Sequence, residues 1–473
     1  MTKSRPLLPE LLQRFTGIVG ADHALTAASD IAPYLTENRD LYHGLSSVVL
    51  RPKTVDEVSA VLKLASETGT PIVPQGGNTG LVGGQTPDRS GAAIILSLGR
   101  MNRIRDIDPV GNTIEVEAGT VLQSIQQAAD DVDRLFPLSL GSEGSCQIGG
   151  NLSSNAGGTA VLAYGNTREL CLGLEVVLPT GEVMHGLKRL RKDNTGYDLR
   201  DLFIGAEGTL GVITAAVMKL FPKPRGRSVA FVGTQSTEKA LTLLGRAKAA
   251  GTLTGFELIA RIGMEFATRH VEGARDPLEA RHNWYVLAEF SSGRSDEDAN
   301  DAMEHFLTDA LESGEADDAV IAASGAQADA FWHLRENLSW AQKPEGGSIK
   351  HDISVPVASI PAFLAEANRA VESLTPGVRF CTFGHMGDGN LHYNISQPVG
   401  ADKAAFLARW HEVNALVHDI VGNFDGSISA EHGIGQLKRD ELSRFKDPVA
   451  LDLMRRIKRQ FDPAGIMNPG KVL

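Results

Sequence analysis

The chain has 473 residues, 42% of them hydrophobic and 22% charged, which is enough for two or three domains and a large core. Its formal net charge of −12 argues against nucleic acid as a partner, because phosphate binding needs a basic face. A small anionic substrate stays compatible, since a few buried cations can hold one locally.

Cys146, Cys171 and Cys381 are scattered without a C-x-x-C pair, so neither a disulfide framework nor a zinc finger is indicated and a reducing compartment fits. The opening stretch MTKSRPLLPELLQRFTGIVGADH carries acids and scattered bases and no apolar h-region, which argues against a secretory leader. Apolar runs fall well short of the roughly 18 residues of a membrane span. The expectation is a soluble, cytoplasmic protein.

In chain order, DEVSAVLKLASETGT repeats apolar residues at three and four with acids early, the pattern of an amphipathic helix. PIVP follows as a short buried strand, and QGGNTGLVGGQ packs five glycines into eleven residues. AAIILSL (92–98) and NTIEVEAG (112–119) read as strands, and TVLQSIQQAADD as a helix begun at a Thr cap. A second glycine-rich stretch, CQIGGNLSSNAGG, precedes LCLGLEVVLPTGEVMHG, a predicted hairpin turning at PTGE. IGAEGTLGVITAAVMKLFPKP holds a third glycine cluster and a strand; Pro222 and Pro224 suggest a domain boundary near 223. Helical, acid-rich segments such as SDEDANDAMEHFLTDALES follow, and the chain ends in a Pro/Gly-rich FDPAGIMNPGKVL.

Neither G-x-G-x-x-G nor G-x-x-x-x-G-K-[ST] occurs, so a Rossmann NAD site or P-loop is unsupported. PQGGNTG nevertheless suits an anion: consecutive glycines let backbone N–H groups turn inward, and Asn78 and Thr79 add side-chain donors. One such loop is equally well a flexible surface loop. Three, each beside a buried strand, favour a large bound cofactor.

PQGGNTGLVGG, GSEGSCQIGGNLSSNAGG, RKDNTGYDLRDLFIGAEGTLGVIT and FDPAGIMNPGK together resemble the FAD-binding elements of the vanillyl-alcohol oxidase/PCMH flavoprotein superfamily. Within it the chain resembles the D-2-hydroxyacid dehydrogenase branch, over roughly residues 40 to 473. The resemblance implies that Pro74, Gln75, Gly76, Gly77, Asn78, Thr79, Gly80 and Leu81 wrap the FAD pyrophosphate. It implies that Gly141, Ser142, Ser145, Gly149, Gly150, Asn151 and Asn155 run along the pyrophosphate and flavin. Glu207 and Gly208 would lie near the ribityl–adenosine part, Ile213 by the adenine, and Asn468 back at the flavin. Some relatives tether FAD through a histidine in the first loop; none lies between 71 and 90, so noncovalent FAD is expected.

FGHMGDGNLHYN (383–394) sets two histidines around a strong turn sequence. With GDGN as a four-residue hairpin loop, His385 pairs with His392, and Asn394 falls on the same face. Two such rings alone read more simply as hairpin hydrogen bonding than as a metal site. SISAEHGIG (427–435) adds Glu431 beside His432, and two histidines with a carboxylate make a common metal set. The resemblance implies the ligands His385, His392 and Glu431, for a divalent ion that is Zn²⁺ first, Mn²⁺ or Co²⁺ otherwise. His432, adjacent to Glu431, is then better placed as the catalytic base than as a ligand.

FWHLRENLSW reads as helical, with Arg335 and Ser339 at i and i+4, and GGSIKHDISVPV as a strand with Lys350 near its start. Each cation alone reads as an ordinary solvated one. The resemblance implies substrate binding by Arg335, Ser339, Lys350, Asn394 and His432, with Ser339 standing where relatives have Thr. Two cations suit a second carboxylate, hence D-2-hydroxyglutarate or D-malate before D-lactate or glycolate; a flavin oxidase is the alternative.

The expected architecture is α+β. An FAD-binding domain of two α/β subdomains (1–223) precedes an antiparallel-sheet substrate domain (224–425), and a C-terminal segment (426–473) closes onto the first. Electron-transfer flavoprotein or a quinone-linked carrier is the expected electron acceptor, and a homodimer is compatible.

Overall fold

A computed structural model describes residues 7–251 and 253–473; the first six residues of the stretch read for a leader lie outside it. The chain divides into two units. One holds the described residues up to Gly158, Tyr164–Lys223 and Glu431–Leu473; the other holds Thr159–Ala163 and Pro224–Ala430. Among the described residues no helix is long and apolar enough to cross a membrane.

The first unit carries two larger sheets over one shared core, and a two-stranded pairing of Phe221–Pro222 with Arg134–Leu135. In the smaller sheet Ile72–Gln75 and Val49–Leu50 flank Ile94–Ser97 in parallel, and Ala24–Leu25 adds an antiparallel edge. The helix Val55–Thr68 connects two of these strands. It starts where the Thr54 hydroxyl accepts the Glu57 N–H and stops at Gly69, which takes the left-handed conformation that glycine tolerates best. Its buried face is Val58, Val61, Leu62, Leu64 and Ala65, the three–four spacing of the sequence.

The larger sheet is antiparallel, in the order Ile104–Asp108, Thr113–Glu117, Val212–Lys219, Cys171–Val177, Val183–Gly186. Cys171–Val177 and Val183–Gly186 form the expected hairpin. Val212–Met218 is buried at every position, so this central strand reads as a continuous apolar run rather than an alternation. Residues of both sheets, including Leu96, Ile72, Val116, Leu174 and Ala216, fall in one apolar cluster with Ile466 and Met467 from the C-terminus. The C-terminal segment joins the smaller sheet at Ile72: the Ile72 N–H donates to the Ile466 carbonyl, and the Asn468 N–H to the Ile72 carbonyl, both at 2.8 Å.

The second unit is an antiparallel sheet with helices. Its strand order is Asp318–Ile321, Gly226–Thr234, Trp284–Ser292, Leu253–Ala260, Arg379–His385, Asn390–Ser396, Ser348–Ile349, and Asp352–Ser354 also pairs with Asn390–Ser396. The acid-rich helix is Asp296–Glu312, capped by the Ser295 hydroxyl.

Three local expectations need correction. Thr120 is not a helix cap. Val121 is held extended by a bridge to Gln147, so the helix begins at Leu122 without a side-chain cap. FWHLRENLSW is not one helix either. Gly325–Glu336 ends where the Asn337 amide donates to the His333 carbonyl, and Leu338–Ala341 is a separate turn, so the i, i+4 argument for Arg335 and Ser339 does not apply. Lys350 lies between two short strands, Ser348–Ile349 and Asp352–Ser354, rather than inside one.

Candidate functional site

The first glycine loop leaves the C-terminal end of the Ile72–Gln75 strand and lies against the second. A Cβ on Gly77 would sit 2.0 Å from the Ser145 carbonyl oxygen, so only glycine permits this backbone approach. The loops line a cleft of about 900 Å³, counting its open mouth. Pro74 through Gly80, Gly149, Gly150, Asn151, Glu207, Gly208, Ile213 and His432 border it. Leu81, Gly141, Ser142, Ser145, Asn155 and Asn468 lie off its lining.

Several side chains that the sequence offers to the cofactor are spent on the protein. The Asn78 amide donates to the Pro33 and Thr36 carbonyls, at 3.1 and 2.9 Å, so it props the loop instead of facing an anion. Asn155 caps a turn by accepting the Arg168 N–H. Asn468 donates to the Gly84 and Glu207 carbonyls, clipping the C-terminal segment to the cleft wall. Polar atoms without a hydrogen-bond partner among the described residues remain on residues that line the cleft: Gln75 Oε1, Asn78 Oδ1, Gln147 Oε1 and Asn151 Oδ1 are all buried. Such orphaned atoms beside a glycine cradle fit an extended, polar cofactor such as FAD.

Glu207 plays a further part. With φ at 51° it turns its carboxylate to accept the Ile434 and Gly435 N–H groups at 2.7 and 2.8 Å, holding the turn just after His432. Burial pushes this carboxyl up to about 7, against the opposing pull of those two N–H groups and Lys438. His432 turns toward its neighbour, its Nε2 3.5 Å from a Glu431 carboxylate oxygen. Sequence adjacency therefore does not keep the two side chains apart.

In the second unit the histidine hairpin has a different register from the expected one. Phe383, not His385, lies opposite His392. The turn is Met386–Gly389, where Gly389 must be glycine because a Cβ would meet the Val355 carbonyl oxygen at 2.3 Å. Beyond Phe383 the Arg379–His385 strand bends away at Gly384 but stays paired with the neighbouring Leu253–Ala260 strand, where Glu257 opposes His385. A slip of two residues preserves the face. The two imidazoles are diagonal neighbours, ring centres 5.6 Å apart.

Two carboxylates that the sequence did not single out sit beside these rings. Asp352 opposes His392 from the other side, and its carboxylate and the imidazole offer ligand atoms within 4.8 Å of each other. Glu257, 1% exposed, takes the His385 Nδ1 on one oxygen at 2.6 Å and the Arg335 Nε on the other at 2.7 Å. Burial alone would raise the Glu257 carboxyl; Arg335 and His385 outweigh it and hold it down at about 2.

Arg335 is thus a buried, ion-paired group rather than a solvated cation. It lies 4.8 Å over the Phe383 ring, and its Nη2 approaches Glu257 at 2.7 Å without a hydrogen-bonding angle. Lys350 is brought to Ser339, donating to its backbone carbonyl at 3.1 Å, while the Ser339 side is exposed. Asn394 is buried opposite Cys381, two residues along from His392. Glu431 follows Ala430, whose N–H donates to the Asp352 carbonyl. His385, His392 and Asp352 carry the donor types of a divalent-cation site.

The FAD binding domain family matches residues 46–186, and the family of FAD linked oxidases, C-terminal domain, matches residues 223–472. A mitochondrial D-2-hydroxyglutarate dehydrogenase of Arabidopsis thaliana is 37% identical over 97% of this chain and 80% of its own length. A D-2-hydroxyglutarate–pyruvate transhydrogenase of Saccharomyces cerevisiae is 36% identical over 98% and 94%. A D-2-hydroxyglutarate dehydrogenase of Stutzerimonas stutzeri is 35% identical over 98% and 99%. Among solved structures, p-cresol methylhydroxylase superposes with a TM-score of 0.76 over 98% of this chain and 96% of that one, at 17% identity; that likeness concerns the fold. The cytoplasmic expectation does not stand: the Arabidopsis relative and one from Danio rerio, 39% identical over 91% of this chain and 79% of its own, are mitochondrial by name. The chain belongs to the FAD-linked oxidase family and, within it, to the D-2-hydroxyglutarate dehydrogenases, flavoenzymes that act on CH–OH donors.

Proposed function

We propose that this chain oxidises D-2-hydroxyglutarate to 2-oxoglutarate, with FAD held noncovalently in the glycine-lined cleft of the first unit and substrate handled by the second. The observation that carries the reading is the place of His432. It borders the same cleft as the glycine loops, and its turn is held by Glu207. Bound FAD supplies the hydride acceptor, and a bound divalent cation, Zn²⁺ first, makes a substrate hydroxyl proton easier to remove.

This chain's residues do the rest. His385, His392 and Glu431 form the proposed cation set, with Asp352 an added donor beside His392. His432 takes the hydroxyl proton as a neutral imidazole. Asn394 orients the 2-hydroxy acid end. Arg335, Lys350 and Ser339 bind the distal carboxylate. Electron-transfer flavoprotein or a quinone-linked carrier is the proposed acceptor; pyruvate, named for the yeast relative, is the other.

Anaerobic mixing with D-2-hydroxyglutarate should bleach the flavin spectrum, and D-lactate should do so far more slowly. His432→Ala, with FAD and metal loaded, should slow bleaching roughly 10²–10⁴-fold. Bleaching by D-lactate alone, or an unchanged rate in His432→Ala, would overturn the reading. Rapid re-oxidation by oxygen with sustained turnover would instead mark an oxidase.

A further inference from the structure

We infer that Glu257 is a positioning residue that serves metal binding and substrate recognition at once. One of its oxygens fixes His385 as the Nδ1–H tautomer, and the other orients Arg335. The inference rests on the reading of His385 as a cation ligand.

Glu257 sits inside a sheet, opposite His385 across neighbouring strands. A carboxylate this deeply buried is costly unless both oxygens are satisfied. Here each oxygen has its own partner: Oε1 takes His385 Nδ1 at 2.6 Å, and Oε2 takes Arg335 Nε at 2.7 Å. A simple structural ion pair with Arg335 would need no imidazole on the second oxygen.

An ionised carboxylate only accepts hydrogen bonds, so the His385 Nδ1 must carry the hydrogen. That leaves the Nε2 lone pair as the one able to ligate. A carboxylate behind a ligating histidine is the common arrangement for fixing tautomer and ring orientation. On the other oxygen, Arg335 is held along its Nε edge, with the Phe383 ring 4.8 Å from the guanidinium carbon. Its Nη2 is buried and lies 2.7 Å from the same Glu257 oxygen, an ion-pair contact without a hydrogen-bonding angle. The guanidinium is therefore oriented by Glu257 on one edge and by Phe383 beneath, as a fork that receives a carboxylate must be. One glutamate thereby couples the ligand that meets the hydroxyl end to the cation proposed for the far end.

The test uses FAD-loaded protein stripped of metal and titrated with Zn²⁺ against a chromophoric chelator. Glu257→Gln puts an amide donor against one of two donors and should weaken Zn²⁺ roughly 10–100-fold. In the reloaded enzyme it should also raise KM for D-2-hydroxyglutarate more than for D-lactate. Unchanged Zn²⁺ affinity in Glu257→Gln, with His385→Ala clearly weakened, overturns the inference and leaves the metal reading standing. Unchanged affinity in His385→Ala and His392→Ala defeats the metal reading itself, and the inference with it. Should Glu257→Gln not fold, the wild-type protein answers. Long-range ¹H–¹⁵N spectra with labelled histidine, assigned by loss of signals in His385→Asn, should show the Nδ1–H form of His385 in metal-free protein. The Nε2–H form overturns the inference.

Discussion

The glycine-lined cleft of the first unit is built largely from backbone, and the histidine-bearing sheet of the second from charged side chains in register. Around the cleft the side-chain amides of Asn78 and Asn468 bond to the protein, and the space is shaped by glycines pressed against neighbouring backbone. In the sheet, His385 and His392 each face a carboxylate on an adjacent strand, Glu257 and Asp352. Backbone cradles tolerate side-chain change and fail when a Cβ intrudes. Charged networks tolerate small backbone shifts and fail when one partner is removed.

The largest expected effect breaks the charged side. Arg335→Ala leaves Glu257 with His385 alone, and truncating one partner of a buried ion pair costs about 3–5 kcal/mol. Thermal melts should show that loss. Because Arg335 supports Glu257 and through it His385, kcat/KM for D-lactate should fall as well, with D-2-hydroxyglutarate losing a further ten- to hundredfold or so. An unchanged D-lactate rate would mean that Arg335 acts on the distal carboxylate only.

The next effect breaks the backbone side. Gly77→Ala forces a Cβ against a carbonyl oxygen and should weaken FAD about ten- to a hundredfold, as overpacking of 1–3 kcal/mol implies, read as flavin lost on gel filtration. Gly150→Ala sharpens the point. Gly150 lines the same cleft, and a Cβ there would have nothing of the protein within 4 Å. Any loss of FAD there reports contact with the cofactor itself, and an unchanged affinity would place FAD away from Gly150.

The same contrast explains what the sequence made legible. Glycine clusters beside buried apolar runs are local patterns, and so are the amphipathic helix Val55–Thr68 and the Cys171–Gly186 hairpin; all could be read without knowing what packs on what. The charged network could not. Glu257 reaches His385 across 128 positions of sequence, and nothing in GFELIA marks that glutamate as different from a surface one. The two-residue slip of the histidine hairpin arises because the Arg379–His385 strand also pairs with Leu253–Ala260, a competition invisible in the turn sequence. Face survived the slip because it was an even number of residues; opposition did not.

Glu207 is the exception on the backbone side, a titratable side chain that holds a turn, and its effect is one that only a pH series reveals. Its carboxyl is pushed up to about 7 from an ordinary 4.5 by burial, with the Ile434 and Gly435 N–H groups and Lys438 opposing. Between those two values the folded chain binds a proton that the unfolded chain has released. Stability from this group is therefore complete below about 4.5, declines as pH rises toward 7, and is level above, with a slope of at most about 1.4 kcal/mol per pH unit. Glu207→Gln removes the titration but keeps an oxygen to accept one of the two N–H groups. Melting temperatures of the FAD-loaded variant should lack that decline between pH 4.5 and 7. Parallel pH curves for variant and wild type would mean that the two N–H groups hold Glu207 ionised throughout. The turn after His432 would then be clamped by a permanent charge, and there the cleft would be built like the sheet.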